Sequence, residues 1–343
     1  MQCEDFPRNV FWMLFYLLLV VPGSVLAVPD IHTLHEGKFK VDFACENEDS
    51  VCDGFKETVK HVSKLFENAL NLKKEIYAQI AVGSFSGENV ADTILGSTEL
   101  EYDPIEKARG RLVPKALCKQ IGTCSNDDQA DFTVFINKDQ PFYFASDFGE
   151  KEVGSSAIDT LAHEFLHGMG FSDCIISGFC NANVVPFFKK SAGHYENTAT
   201  IKFFSSSFVD HIPLGDATSD KAQLTDYHLD IAKQIEDKVT KRGKLYFKTL
   251  KGNEVLLDTK GEFTPGKSIS HLDLGYKLTR EELMIKNTGF GKGIHNMEFD
   301  RWLTSPFGPL TLEILETIGY QLNPKPLYDK SLLGLKKQIK NSS

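Results

Sequence analysis

Apolar residues fall at Ile158, Leu161, Ala162, Phe165, Leu166 and Met169, the i, i+3, i+4, i+7, i+8, i+11 stripe of an amphipathic helix. At roughly 100° per residue, that stripe centres about 150° from the midpoint between His163 and His167. One face therefore packs into a core while the opposite face carries both imidazoles. Ser155, Ser156 and Asp159 are candidate N-caps, and Gly168 and Gly170 suit a positive-φ turn at the other end. Upstream, Val59, Val62, Leu65, Phe66, Ala69 and Leu70 predict a helix over about 56–74. Alternation at Ile76, Ala78, Ile80 and Val82 predicts a strand from Ile76 to Phe85, and Phe132, Val134 and Ile136 predict a second. Phe142–Phe144 reads as a short edge strand just ahead of the histidine helix. Residues 94–124 read as turns around Pro104 and Pro114, with a short helix before Cys118.

Beyond Phe171 the pattern is mixed. Asp226–Val239 reads as a helix. Lys244–Lys248 and Glu254–Asp258 flank Lys251-Gly252-Asn253 as a hairpin, and Gly261–Gly266 is a turn-rich loop. A helix over Leu310–Ile318 is stopped by Gly319, Pro324 and Pro326. Strands and helices in this order predict an α+β domain over 28–322, with an insertion at about 174–265 and a tail over 323–343. There is no internal repeat and no low-complexity tract.

Residues 1–27 read as a secretory signal: Val10 to Val21 is uncharged and apolar, Pro22 and Gly23 break it, and Val25-Leu26-Ala27 fits a cleavage site. Glu4 and Asp5 outweigh Arg8, which departs from the usual positive start and keeps an uncleaved anchor open. The expectation is a secreted, extracellular chain with no stable membrane association after cleavage. Cysteine usage agrees. Outside the signal, Cys45, Cys52, Cys118, Cys124, Cys174 and Cys180 form three close pairs, the pattern of local disulfide loops in an oxidising compartment. A formal charge of −9 with no basic-aromatic stripe argues against nucleic-acid binding, and a monomer is the default.

The chemistry lies in His163-Glu164-Phe165-Leu166-His167, an H-E-x-x-H on the predicted helix. Two imidazoles four residues apart suit zinc, and Glu164 beside the first can serve as base to a metal-activated water. A catalytic zinc takes three protein ligands and water, which leaves one to find. Asp173 lies six residues after His167, just past Gly170; His271 lies far downstream in Ser268-Ile-Ser-His-Leu-Asp. The isolated histidines His61, His194, His211, His228 and His295 read as surface or packed residues.

The order HEFLHGMGF, SISHLD, then Glu282-Leu283-Met284, then Leu312–Tyr320 resembles the leishmanolysin-like branch of the metzincins. The ordering spans about residues 55–322, although the specific motifs occupy few of them. The resemblance implies a metzincin-like zincin fold: a twisted mixed sheet with an antiparallel edge strand, an active-site helix and a C-terminal subdomain. It implies Zn2+ on His163, His167 and His271, with Glu164 as general base and Met284 in a methionine turn, Met297 being the reserve. Tyr276, close to His271, is the candidate oxyanion donor. The function expected is a secreted zinc endopeptidase acting on protein or peptide substrates. The alternative is a non-catalytic secreted cell-wall or surface protein with a structural or vestigial metal site. The long His167-to-His271 gap, the fewer cysteines and the lack of a long propeptide depart from leishmanolysin, and suit a compact secreted microbial relative.

Overall fold

The computed structural model describes residues 31–46, 49–84, 91–95, 97–99, 112–122, 130–147, 154–171, 244–259, 270–277, 279, 281–285 and 307–324, with four short strand pieces between 175 and 203. The expected signal, the 226–239 helix, the 261–266 loop, Asp173 and Met297 lie outside these residues.

The fold is α+β, built on a mixed five-stranded sheet. β1 (Ile31–Glu36) and β2 (Phe39–Cys45) form an antiparallel hairpin, and α1 (Ser50–Ala69) follows. β3 (Ile76–Gly83) then lies parallel to β2. β4 (Ala91–Leu95) precedes a small hairpin of β5 (Ser97–Glu99) and β6 (Leu112–Pro114), and α2 (Lys115–Ile121) leads to β7 (Phe132–Asn137). The order is β1-β2-β3-β7-β4, with β7 parallel to β3 and β4 antiparallel to β7. Next come β8 (Phe142–Tyr143), β9 (Ser155–Ser156) and α3 (Ala157–Gly168). The four short pieces are β10 (Ile175–Ser177), β11 (Lys190–Ser191), β12 (His194–Tyr195) and β13 (Ile201–Phe203). The hairpin of β14 (Tyr246–Lys248) and β15 (Glu254–Leu256), then α4 (Pro309–Ile318), are the last strands and helix among the described residues.

The sheet register explains the core. Phe39, Val41 and Phe43 stand beside Ile76, Ala78 and Ile80, and Ala78 and Ile80 stand beside Phe132 and Val134. All are buried and point to one face. The other face of β3 is buried too, with polar chemistry: the Tyr77 hydroxyl donates to Asp42 at 2.5 Å, and the Thr33 hydroxyl donates to the same carboxylate at 2.8 Å. A strand covered on both faces is the usual condition of parallel strands.

Phe165 anchors α3 to this core. Its ring lies 5.8 Å from Phe39, 5.8 Å from Phe66 of α1 and 5.1 Å from Phe132 of β7. Gly168 is required nearby, because a Cβ there would run into the Phe132 ring. The stripe predicted on α3 is buried throughout, from Ile158 to Met169.

Three expectations need correction. Both edge strands of the sheet, β1 and β4, are antiparallel to their neighbours, and neither is Phe142–Phe144; Phe142–Tyr143 instead pairs in parallel with Ser155–Ser156. Ala91-Asp-Thr-Ile-Leu lacks the clean apolar alternation that marks a strand in sequence, and its last two residues fall in the 94–124 stretch that reads as turns. The first helix runs over 50–69 rather than 56–74. Asp49 caps it by accepting from the Val51 and Cys52 amides, and Gly54 within it makes room for the Phe144 ring. At its far end Asn323 donates to the carbonyls of Glu67 and Leu70, so the expected tail begins as a helix cap.

Cys45 and Cys52 are disulfide-bonded, tying the end of β2 to the first turn of α1. Cys118 is also disulfide-bonded. Among the described residues, no helix is long and apolar enough to cross a membrane.

Candidate metal centre

The site begins with the two ends of α3. Ser156 caps the start, its hydroxyl accepting from the Asp159 amide at 3.1 Å. At the other end the Gly170 amide donates to His167 and the Phe171 amide to Leu166, with Gly170 at φ +105°. This is a Schellman turn, and the positive φ is why glycine stands there. Its consequence is chemical. The chain doubles back so that the Phe171 carbonyl accepts from Nδ1–H of His167 at 2.8 Å.

His271 arrives from the other half of the molecule. Its segment runs beside the end of the β14–β15 hairpin: the Asp258 amide donates to the His271 carbonyl at 2.8 Å, and the Asp273 amide donates to Leu256 at 3.1 Å. On the opposite side the Leu272 amide donates to the Met284 carbonyl at 2.7 Å. Glu282–Met284 form a single 3-10 turn, fully buried, and its Leu283 carbonyl accepts from Nδ1–H of His163 at 2.6 Å. One turn thus touches both halves of the site.

The outcome is convergence. Nε2 of His163 lies 3.0 Å from Nε2 of His167 and 3.2 Å from Nε2 of His271. All three donor nitrogens lie within 4.8 Å of one another. His163 and His167 are half-buried, and His271 is buried. Burial pushes the His163 pKa down, against the opposing pull of the Leu283 carbonyl and Asp159. Burial, then the neighbouring His163, pushes His167 down to about 3. Both rings are therefore neutral near pH 7.

Their tautomers follow from the carbonyls. A carbonyl oxygen only accepts, so Nδ1 carries the proton in both rings and each Nε2 presents a lone pair. Two lone pairs facing each other at 3.0 Å repel, and a cation between them turns that repulsion into bonding. The spacing suits zinc. Two nitrogens each about 2.0–2.1 Å from a tetrahedral ion stand about 3.3 Å apart.

Glu164 follows His163 on α3 and is 7% exposed. Of the expected residues, His163, His167 and His271 come together, Glu164 sits on the same helix turn, and Met284 lies in the buried turn that contacts them. Tyr276 is engaged elsewhere: its hydroxyl oxygen accepts from the Leu256 amide at 3.2 Å. The carbonyls of Leu283 and Phe171 went unnoticed in sequence, because a backbone oxygen leaves no side-chain signal; only Gly170 hinted at the second.

Residues 24–194, just under half of the chain, match the model of a family described as SPBPB7E8-like. Over that stretch the chain is similar to this family. The match takes in β1 through α3, with His163, Glu164 and His167, and ends before His271. No curated protein and no solved structure matches the chain.

Proposed function

We propose that the protein is a zinc-dependent endopeptidase, a leishmanolysin-like metzincin that works outside the cell on protein or peptide substrates. The observation that carries this reading is the meeting of three Nε2 atoms at 3.0 and 3.2 Å, two of them held as lone-pair donors by backbone carbonyls. His163, His167 and His271 hold the metal in this reading. Zinc with three protein ligands keeps a position open, polarises a carbonyl and brings the pKa of water toward about 7.

The chain's own residues do the rest. Glu164, next to His163 and largely shielded from solvent, accepts a proton from the attacking water and returns it to the leaving amine. The carbonyls of Leu283 and Phe171 keep the two helix imidazoles in the ligating tautomer throughout. β4 is antiparallel to β7 and, among the described residues, has no strand on its other side, an edge on which an extended peptide can add as a further strand. That mode favours peptides over small esters or sugars.

The test is metal content and proteolysis of the purified chain. His271→Ala is expected to lose zinc and casein cleavage together, while Asp173→Ala keeps both. Loss of zinc only in Asp173→Ala would move the third ligand to the shorter spacing. Stoichiometric zinc with no cleavage of any peptide library would favour the non-catalytic secreted protein.

A further inference from the structure

The turn Glu282–Met284 orients two of the three histidines, so whatever fixes that turn sets the geometry of the cluster. The residue before it is Glu281, buried at 4% exposure. Its carboxylate reaches across 29 positions to the start of α4. One oxygen accepts from the Leu310 amide at 2.8 Å; the other accepts from the Thr311 amide at 2.9 Å and the Thr311 hydroxyl at 2.9 Å.

The helix is built to receive it. Gly308, the N-cap of α4, has no side chain to cap with, and Pro309 has no amide hydrogen to satisfy. The amides of α4's first turn therefore depend on an outside acceptor, and a carboxylate also matches the positive end of the helix dipole. Gly308 adds a steric condition. A Cβ there would overlap the Glu281 carboxylate, so glycine is what lets the two approach. Thr279 steadies the same residue from behind, its hydroxyl oxygen accepting from the Glu281 amide at 3.2 Å.

Ordinary capping is local, from a residue adjoining the helix it caps. Here the cap comes from the residue that opens the turn, and three charge-assisted hydrogen bonds join the two. We propose that Glu281 is a positioning residue for the metal centre: by locking the Glu282–Met284 turn onto α4, it holds the carbonyls of Leu283 and Met284 where His163 and the His271 segment need them. This rests on the reading of the three histidines as a zinc site. Such outer partners set metal affinity by about ten- to a hundred-fold.

The experiment measures zinc affinity by competition with a chromogenic chelator, with thermal unfolding recorded with and without zinc. Glu281→Gln and Gly308→Ala are compared with the unsubstituted chain and with Thr317→Val. That last variant removes the hydroxyl that accepts from the Leu250 amide at the other end of α4, and serves as a control for general loosening of the helix. Glu281→Gln and Gly308→Ala are expected to bind zinc about ten- to a hundred-fold more weakly and to gain less thermal stability from it. Thr317→Val is expected to lower the melting temperature and leave zinc affinity unchanged. If Glu281→Gln fails to fold, Gly308→Ala and Thr311→Val, which retain the carboxylate, carry the comparison. Unchanged affinity in the folded variants, or equal weakening in Thr317→Val, overturns the role of Glu281. Failure of the unsubstituted chain to bind zinc instead removes the metal reading beneath it.

Discussion

His163 donates its Nδ1–H to the carbonyl oxygen of Leu283 at 2.6 Å, joining residues 120 positions apart. This bond decides which nitrogen of His163 faces the centre, and the matching bond from His167 to Phe171 decides the second. Long-range 15N–1H spectra of the zinc-loaded chain should show both rings protonated at Nδ1 and metallated at Nε2. Metal on Nδ1 of either ring would contradict the geometry.

Glu164→Gln keeps the size of the side chain and removes its basicity. The variant is expected to retain zinc and to lose about 10²- to 10⁴-fold in kcat, the usual contribution of a general base. Activity within a few-fold of the unsubstituted chain would remove Glu164 from the reaction.

The depressed histidine pKa values make the metal-free fold acid-sensitive. A base whose folded pKa lies below its unfolded value stabilises the fold above that unfolded value, near 6.5, and the contribution falls as pH drops. For His167 the loss runs from about pH 6.5 down to about 3, at no more than about 1.4 kcal/mol per pH unit. Urea midpoints of the metal-free chain should therefore fall between pH 8 and pH 5. A midpoint that is flat or rises on acidification would count against neutral, desolvated rings.

Phe165 lies inside the motif yet faces the core, against Phe39, Phe66 and Phe132. Phe165→Ala is expected to cost about 3–5 kcal/mol of stability, read by chemical denaturation. A cost under about 1 kcal/mol would mean that α3 is anchored by something else.

How far the chain could be read in advance depended on where the signal was written. The stripe on α3 declared its own period, and Ile158 to Met169 are buried as the spacing requires. The central strands Ile76–Gly83 and Phe132–Asn137 were legible because alternation is kept on the face toward the helices. β4 was not, since an edge strand is fixed by pairing with β7 and its own five residues carry no clear pattern. Ser156 as the N-cap and Gly170 as the turn were among the residues named from local chemistry. His271 joined the cluster through a resemblance, because a separation of 104 positions from His167 leaves no local spacing to read. The supports at Leu283, Phe171 and Glu281 arise only when distant segments meet, which no periodicity records.

The most direct test is X-ray absorption at the zinc edge on the chain loaded with one equivalent of zinc. The account predicts a four-coordinate ion with three imidazole nitrogens and one oxygen from solvent. A sulfur ligand, a fourth protein nitrogen closing the site, or a folded chain that takes up no zinc would contradict it.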